Sequence, residues 1–381
     1  MKKLLLLSAF LCIGLALNAQ PADPDATSEA KALFERLEKL QKKGTMYGHQ
    51  DDLVTGRTWW EEKERSDTKE AVGDYPAVAG FELGELELGY KRSLDSIAFS
   101  SISDRIRWFH EKGGIITISW HVVNPVSSQW PGIKEPNGAG SAWDVSMLST
   151  DGVNAVRSVL PGGENHAMFN SWLTRLAGFF YTLKDEDGNL IPFIFRPYHE
   201  HSGTFFWWGR ERCSDEEYAA LWRYTVDFLR KAGLHNILYA YNTDKVYSEE
   251  EYLRGYPGDD YIDMLSIDWY GKGEEFNKHV DKALGFTTAL AREKGKLHAL
   301  SECGPLSTDL QNILAKYESQ RKLPLLRRYP VTRVSRNPLT DNAIYIMPAA
   351  RMQQALCVIC CLSDVCGIRY SRSFDASTRN I

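Results

Sequence analysis

The sequence predicts a single-domain (β/α)8 (TIM) barrel of the α/β class, on three observations. Roughly eight strand-like apolar runs recur along the chain, most of them preceded by an amphipathic helical stretch. The runs are near-continuously apolar rather than alternating, as expected of parallel strands buried on both faces. Polar and titratable residues close run after run, and a barrel gathers such strand ends at one mouth. A doubly wound open sheet is the alternative, but it does not converge so many strand ends on one place.

The runs follow in order. "GTMYGHQDD" (44–52) comes after the helical "SEAKALFERLEKLQKK", and "YPAVAGFELG" (75–84) is the second. "GIITISWHVVNP" (114–125) follows the helix "SISDRIRWFHEKG", which Gly113 stops. "IPFIFRPYHE" (191–200) is the fourth. "NILYAYN" (236–242) follows "DEEYAALWRYTVDFLRKAG", and "YIDMLSIDWYG" (261–271) is the sixth. "KLHALSECG" (296–304) follows "FNKHVDKALGFTTALAREKG". "YPVTRVSRNP" (329–338) is a weaker eighth.

Composition narrows the partners. A length of 381 residues with 43% apolar content supports a large core. A net charge of −5 leaves no basic excess for nucleic acid. The 11 Trp and 18 Tyr suit a rich core, and a secreted polysaccharide enzyme would also need many, because flat rings stack on sugar faces. "MKKLLLLSAFLCIGLALNAQ" reads as an export signal: Lys2 and Lys3, a short apolar stretch, and Ala19 at the cleavage point, so that residues 1–19 are removed. No later apolar run is long enough for a membrane helix. Four of the seven cysteines (Cys357, Cys360, Cys361, Cys366) crowd the C-terminus, with no matching pair upstream at zinc spacing. No dinucleotide, P-loop or nucleophile-elbow motif is present, and no paired histidines stand at metal spacing, so neither cofactor nor metal is expected.

The residues closing the runs are His49, Glu82, His121, Arg196, His199, Glu200, Asn242, Asp268, Tyr270 and Glu302. In a barrel, Glu200 on the fourth strand and Glu302 on the seventh face each other across the mouth. Two opposed carboxylates suit glycoside hydrolysis, one protonating the leaving oxygen and the other meeting the cationic carbon. Burial against the aromatics after Glu200 would keep it protonated. Tyr270 and Arg196 are candidates to hold the other ionised. Arg196 could equally serve only to balance charge, and His49 and Trp120 could serve only barrel packing.

Together, "FRPYHE", "FFWWG", "SWH", "SIDWYG" and "LSECG" resemble glycoside hydrolase family 26, from residue 44 to residue 304 and in family order. The resemblance implies a retaining (β/α)8 enzyme, with endo-β-1,4-mannanase the dominant activity. By motif, Glu200 would be the acid/base and Glu302 the nucleophile. His121 and His199 would line the −1 sugar site, and Tyr270 would hydrogen-bond the nucleophile with Asp268 nearby. Trp207 and Trp208 belong to the aromatic block behind the acid, with Trp208 taken as a substrate contact. Phe205 stands where the family commonly has an aromatic five positions after the acid. The implied partner is β-mannan, glucomannan or galactomannan, acted on by a monomer. A β-1,3-xylanase, a mixed-linkage glucanase and a catalytically impaired carbohydrate-binding barrel are the alternatives.

The pattern fails after about residue 320. "VSRNP" has Ser335 where the family has a Trp, while Arg336 and Asn337 keep the rest of that element, with Arg336 expected at the substrate. The catalytic domain is therefore drawn over 20–338, with an atypical tail over 339–381. A changed reading frame in the coding DNA accounts for the abrupt loss together with the cysteine crowding; ordinary divergence is the alternative.

Overall fold

A computed structural model describes residues 20–56, 58–127, 140–271 and 273–304, together with four short strands, Arg336–Asn337, Thr340–Ala343, Ile346–Met347 and Leu356–Cys357. The predicted signal segment lies outside the described residues, and so does most of the C-terminal stretch. Among the described residues no helix is long and apolar enough to cross a membrane.

Eight strands make one sheet in chain order: β1 (Gly48–Gln50), β2 (Val78–Glu82), β3 (Ile115–Trp120), β4 (Phe193–Pro197), β5 (Ile237–Thr243), β6 (Met264–Tyr270), β7 (Leu297–Gly304) and β8 (Leu356–Cys357). Every neighbouring pair is parallel. The sheet curls with helices outside it, as in a (β/α)8 barrel. The strands from β2 to β5 are buried at every position. This is the double burial that their unbroken apolar runs imply.

The eighth strand differs from the sequence expectation. Of 329–338, only Arg336–Asn337 is described, and it pairs antiparallel with Thr340–Ala343. The segment beside β7 is Leu356–Cys357, from the apolar run "ALCVICCL". A strand covered on both faces needs such a run; "RVSRNP" carries two arginines and a proline instead.

The end of the barrel away from the strand C-termini is sealed by α1 (Ser28–Gln41). Thr27 caps this helix by accepting from the Ala30 amide at 3.2 Å. Ala30, Leu33, Phe34 and Leu37 pack against Met46, Val78, Ile115, Ile194, Leu238, Met264 and Leu297, near the starts of the strands. Outside the sheet lie α2 (Phe99–Glu111), α3 (His166–Phe180), α4 (Asp215–Lys231) and α5 (Gly273–Glu293); α2, α4 and α5 follow the helical patterns read in the sequence, and α3 is not among those patterns. Ser214 and Glu217 close a reciprocal capping box on α4.

Candidate active site

Two local backbone devices aim the carboxylates. At the end of β4, Tyr198 and Glu200 both adopt left-handed conformations, with φ of 50° and 56°. Neither residue favours that region, at a cost of about 1–2 kcal/mol each, so the surroundings must hold them. The Glu200 amide donates to the Asn242 carbonyl at 3.1 Å and its carbonyl accepts from the Gly203 amide at 2.9 Å. Tyr198 is pinned by Thr225 at 2.8 Å and, through its carbonyl, by the Tyr218 hydroxyl at 2.9 Å. The second device is on β7. Leu300 pairs with Ile267 and Glu302 with Asp268, so Ser301 is an extra residue, a bulge against β6. Such a bulge re-aims the next side chain and sets Glu302 opposite Asp268. Ser301 takes a hydrogen bond from Asn242 Nδ2 at 2.8 Å.

The result is a compact acidic cluster around one cation. Carboxylate oxygens of Glu200, Asp268 and Glu302 lie within 4.8 Å of one another. Arg196, buried, donates to Asp268 Oδ2 at 3.2 Å, to Asn242 Oδ1 at 3.1 Å and to Glu302 Oε1. Tyr270 donates to Glu302 Oε2 at 2.6 Å, so both oxygens of Glu302 are held. Asn242 Nδ2 donates to Asp268 Oδ1 at 3.0 Å. Burial alone would pull the Arg196 guanidinium down, but Glu302 and Asp268 outweigh it and hold it above its usual range. With three carboxyls crowded around one guanidinium, two of them are pushed toward their protonated forms. Burial, then the charges of Asp268 and Glu302, push Glu200 well above the ordinary carboxylate range. Burial and Glu302 likewise push Asp268 up. A trio of carboxylates this close offers oxygen ligands of the kind a hard cation uses, but the guanidinium already satisfies two of them.

A histidine pair flanks the acid. His121 Nε2 and His199 Nε2 lie 3.1 Å apart, and His121 Nδ1 is 2.8 Å from Glu82 Oε2. Phe205 is half-buried at the rim and packs edge-on against Phe206 at 4.8 Å. Trp208 differs from the expected substrate contact: it is 0% exposed, as is Trp207 beside it in the block behind the acid. Trp208 donates to the His199 carbonyl and Trp207 to the Val122 carbonyl, each at 2.8 Å. A ring sealed on both faces offers nothing to a sugar, so Trp208 fixes His199 from behind. The side chain of Arg336 lies outside the described residues. Trp120 is buried and donates to Glu87 at 2.9 Å, while His49 pairs with Asp52 at 3.4 Å. Both belong to the packing of the barrel.

One mouth residue escaped the sequence reading. Trp143 is 40% exposed and stacks on His121, with centroids 5.0 Å apart and planes at 23°. It sits in the long connection between β3 and β4 rather than at a strand end. Its only sequence signal is a tryptophan among small and polar residues in "NGAGSAWD". The cavity of about 180 Å³ lined by Phe34, Gln41, Leu297 and His298 lies at the opposite end of the barrel and takes no part.

Such an arrangement can deliver a proton from a buried carboxylic acid and present an oriented carboxylate a few ångströms away. The chain as a whole resembles known proteins in sequence and fold. The profile of glycosyl hydrolase family 26 matches residues 22–316. A mannan endo-1,4-beta-mannosidase of Bifidobacterium adolescentis is 33% identical over 296 residues, 74% of this chain and 28% of that protein. One of Thermothelomyces thermophilus is 26% identical over 80% of this chain and 56% of its own. The chain thus spans between about a quarter and just over half of these two relatives. A family 26 β-mannanase structure from Bacteroides ovatus superposes with a TM-score of 0.68 at 37% identity, covering 87% of this chain and 89% of that one. An endo-β-1,4-mannanase from Cellulomonas fimi gives 0.68 at 32% identity, over 79% and 67%. With the profile covering most of its length and the strand-end residues in place, the chain belongs to glycosyl hydrolase family 26.

Proposed function

We propose that the protein is a retaining endo-β-1,4-mannanase acting on mannan, glucomannan or galactomannan. The carrying observation is the spacing of Glu200 and Glu302, whose nearest oxygens lie within 4.8 Å. Retaining enzymes place their carboxyls about 5–5.5 Å apart, and inverting ones about 6.5–9.5 Å. Glu302 attacks the anomeric carbon while Glu200 gives its proton to the leaving oxygen. Glu200, now ionised, takes a proton from water, which frees the sugar from Glu302 with net retention. Arg196 and Tyr270 hold the nucleophile's oxygens in place. His121, His199, Phe205 and Trp143 supply the polar and aromatic walls of the sugar site.

The basic and apolar N-terminal segment supports export, where the polymer would be met. The test is a reducing-sugar assay on mannan, xylan and β-glucan. Release from mannan, lost in both Glu200→Ala and Glu302→Ala, is expected. Equal turnover of mannan by wild type and Glu302→Ala defeats the reading, and preference for xylan or β-glucan moves it elsewhere within the family.

A further inference from the structure

The hydrogen-bond chain at the inner wall of the mouth has an arrangement that the two carboxylates alone do not require. Glu82, at the end of β2, is buried. Its Oε1 accepts from the Gly84 amide at 2.6 Å and the His121 amide at 2.7 Å. Its Oε2 faces the Ser119 hydroxyl at 2.5 Å and His121 Nδ1 at 2.8 Å. The two backbone amides on Oε1 and the Ser119 hydroxyl on Oε2 make a setting that suits a carboxylate. His121 Nδ1 therefore carries a hydrogen toward Glu82.

The next link decides the charge of His121. Its Nε2 meets His199 Nε2 at 3.1 Å, and one hydrogen has to lie between them. His199 is buried, and its Nδ1 has no hydrogen-bond partner at full geometry. A carboxylate buried as deeply as Glu82 calls for a cation beside it, and the ring in contact with it is His121, which as an imidazolium donates from Nε2 to His199 Nε2.

We propose that Glu82 is a positioning residue that fixes His121 as a buried imidazolium, a second cation facing Glu302 beside Arg196. The groups facing His121 agree. Glu82 comes from β2, Asp95 from the segment after it, His199 from β4 and Glu302 from β7. Burial alone would lower His121, but Glu82 and then Glu302 and Asp95 outweigh it and hold it up. Burial, His121 and Arg196 keep His199 well below its ordinary value, hence neutral. The Trp143 ring stacked on His121 favours a cation there.

The role of this cation in turnover rests on the assignment of Glu302 as nucleophile; its existence does not. Nitrogen-15 histidine spectra of the wild type, with the His121 signals identified by their loss in His121→Gln, test the charge without substrate. Both His121 nitrogens should show the imidazolium signature at pH 6, with His199 neutral; a neutral His121 at pH 6 overturns the proposal, whatever the enzyme hydrolyses. In Glu82→Gln the His121 signature should become neutral. The acidic limb of the kcat/KM profile should then move up by about one pH unit, with KM changed less than twofold. A folded Glu82→Gln with neutral His121 and an unmoved limb refutes the coupling to Glu302. If Glu82→Gln does not fold, the wild-type spectra still decide the charge.

Discussion

The two ends of this barrel are built from the same strands and have opposite characters. At one end Phe34 and Leu37 of α1 close over Val78, Ile115, Ile194 and Leu238, all apolar and all buried. At the other, Arg196, Asn242, Asp268 and Glu302 form a buried polar network, and Glu200 stands in a left-handed conformation beside it. The first end gains stability from every contact. The second holds carboxyls that burial disfavours and backbone that its own residues disfavour. The difference teaches where stability is made and where it is spent, within strands only five to eight residues long from β2 to β7.

Exchanging Arg196 for Met should have the largest effect. It removes the cation from Asp268 and Glu302 together, and kcat on mannan should fall about 10²–10³-fold. Breaking a buried ion pair should also destabilise the fold by about 3–5 kcal/mol near neutral pH. That destabilisation should shrink as pH falls and the orphaned carboxyls take up protons. Urea unfolding at several pH values checks it, and a pH-independent loss would contradict the electrostatic account. Phe34→Ala should cost a comparable amount, about 3–5 kcal/mol. Its loss should not vary with pH, and kcat of the folded enzyme should be unchanged. If kcat fell as well, the two ends would not be separable.

Smaller effects sharpen the contrast. Trp143→Ala should raise KM by up to about tenfold with little change in kcat, as loss of an aromatic wall worth about 0.5–1.5 kcal/mol. Steady-state kinetics on mannan-derived oligosaccharides separates the two parameters. The smallest effect is a gain. Glu200 titrates above its ordinary range in the fold, so in wild type the native state keeps a proton that the unfolded chain releases. Stability therefore falls as pH rises past about 4.3, the free glutamate value. Glu200→Gln removes that loss, so it should raise the melting temperature at neutral pH and leave it unchanged below about pH 4. A lower melting temperature at pH 7 would count against the raised Glu200.

What could be read from the sequence divides along the same line. The apolar runs of β2 to β7 were legible because double burial writes itself as unbroken hydrophobicity. Glu200 and Glu302 were legible because chemistry placed at strand ends interrupts those runs. The bulge at Ser301 was not, since one inserted residue leaves the apolar pattern unchanged while shifting the register. Trp143 was missed because its place depends on a long connection folding back over His121. The expected sugar contact at Trp208 went astray for a related reason. An aromatic run after a strand fixes how many rings are nearby, not which of them keeps a face open. The eighth strand was placed too early because the motif near Arg336 outweighed the more apolar "ALCVICCL".

The left-handed backbone at Glu200 also bears on how this chain would drift. Glycine or asparagine occupies that conformation more comfortably than glutamate. Either would also remove the buried acid. A chain with no need of this acid would therefore gain stability twice over by abandoning it, and Glu200→Gly should prove more stable than Glu200→Ala. Glutamate at such a position stands there against the grain of folding.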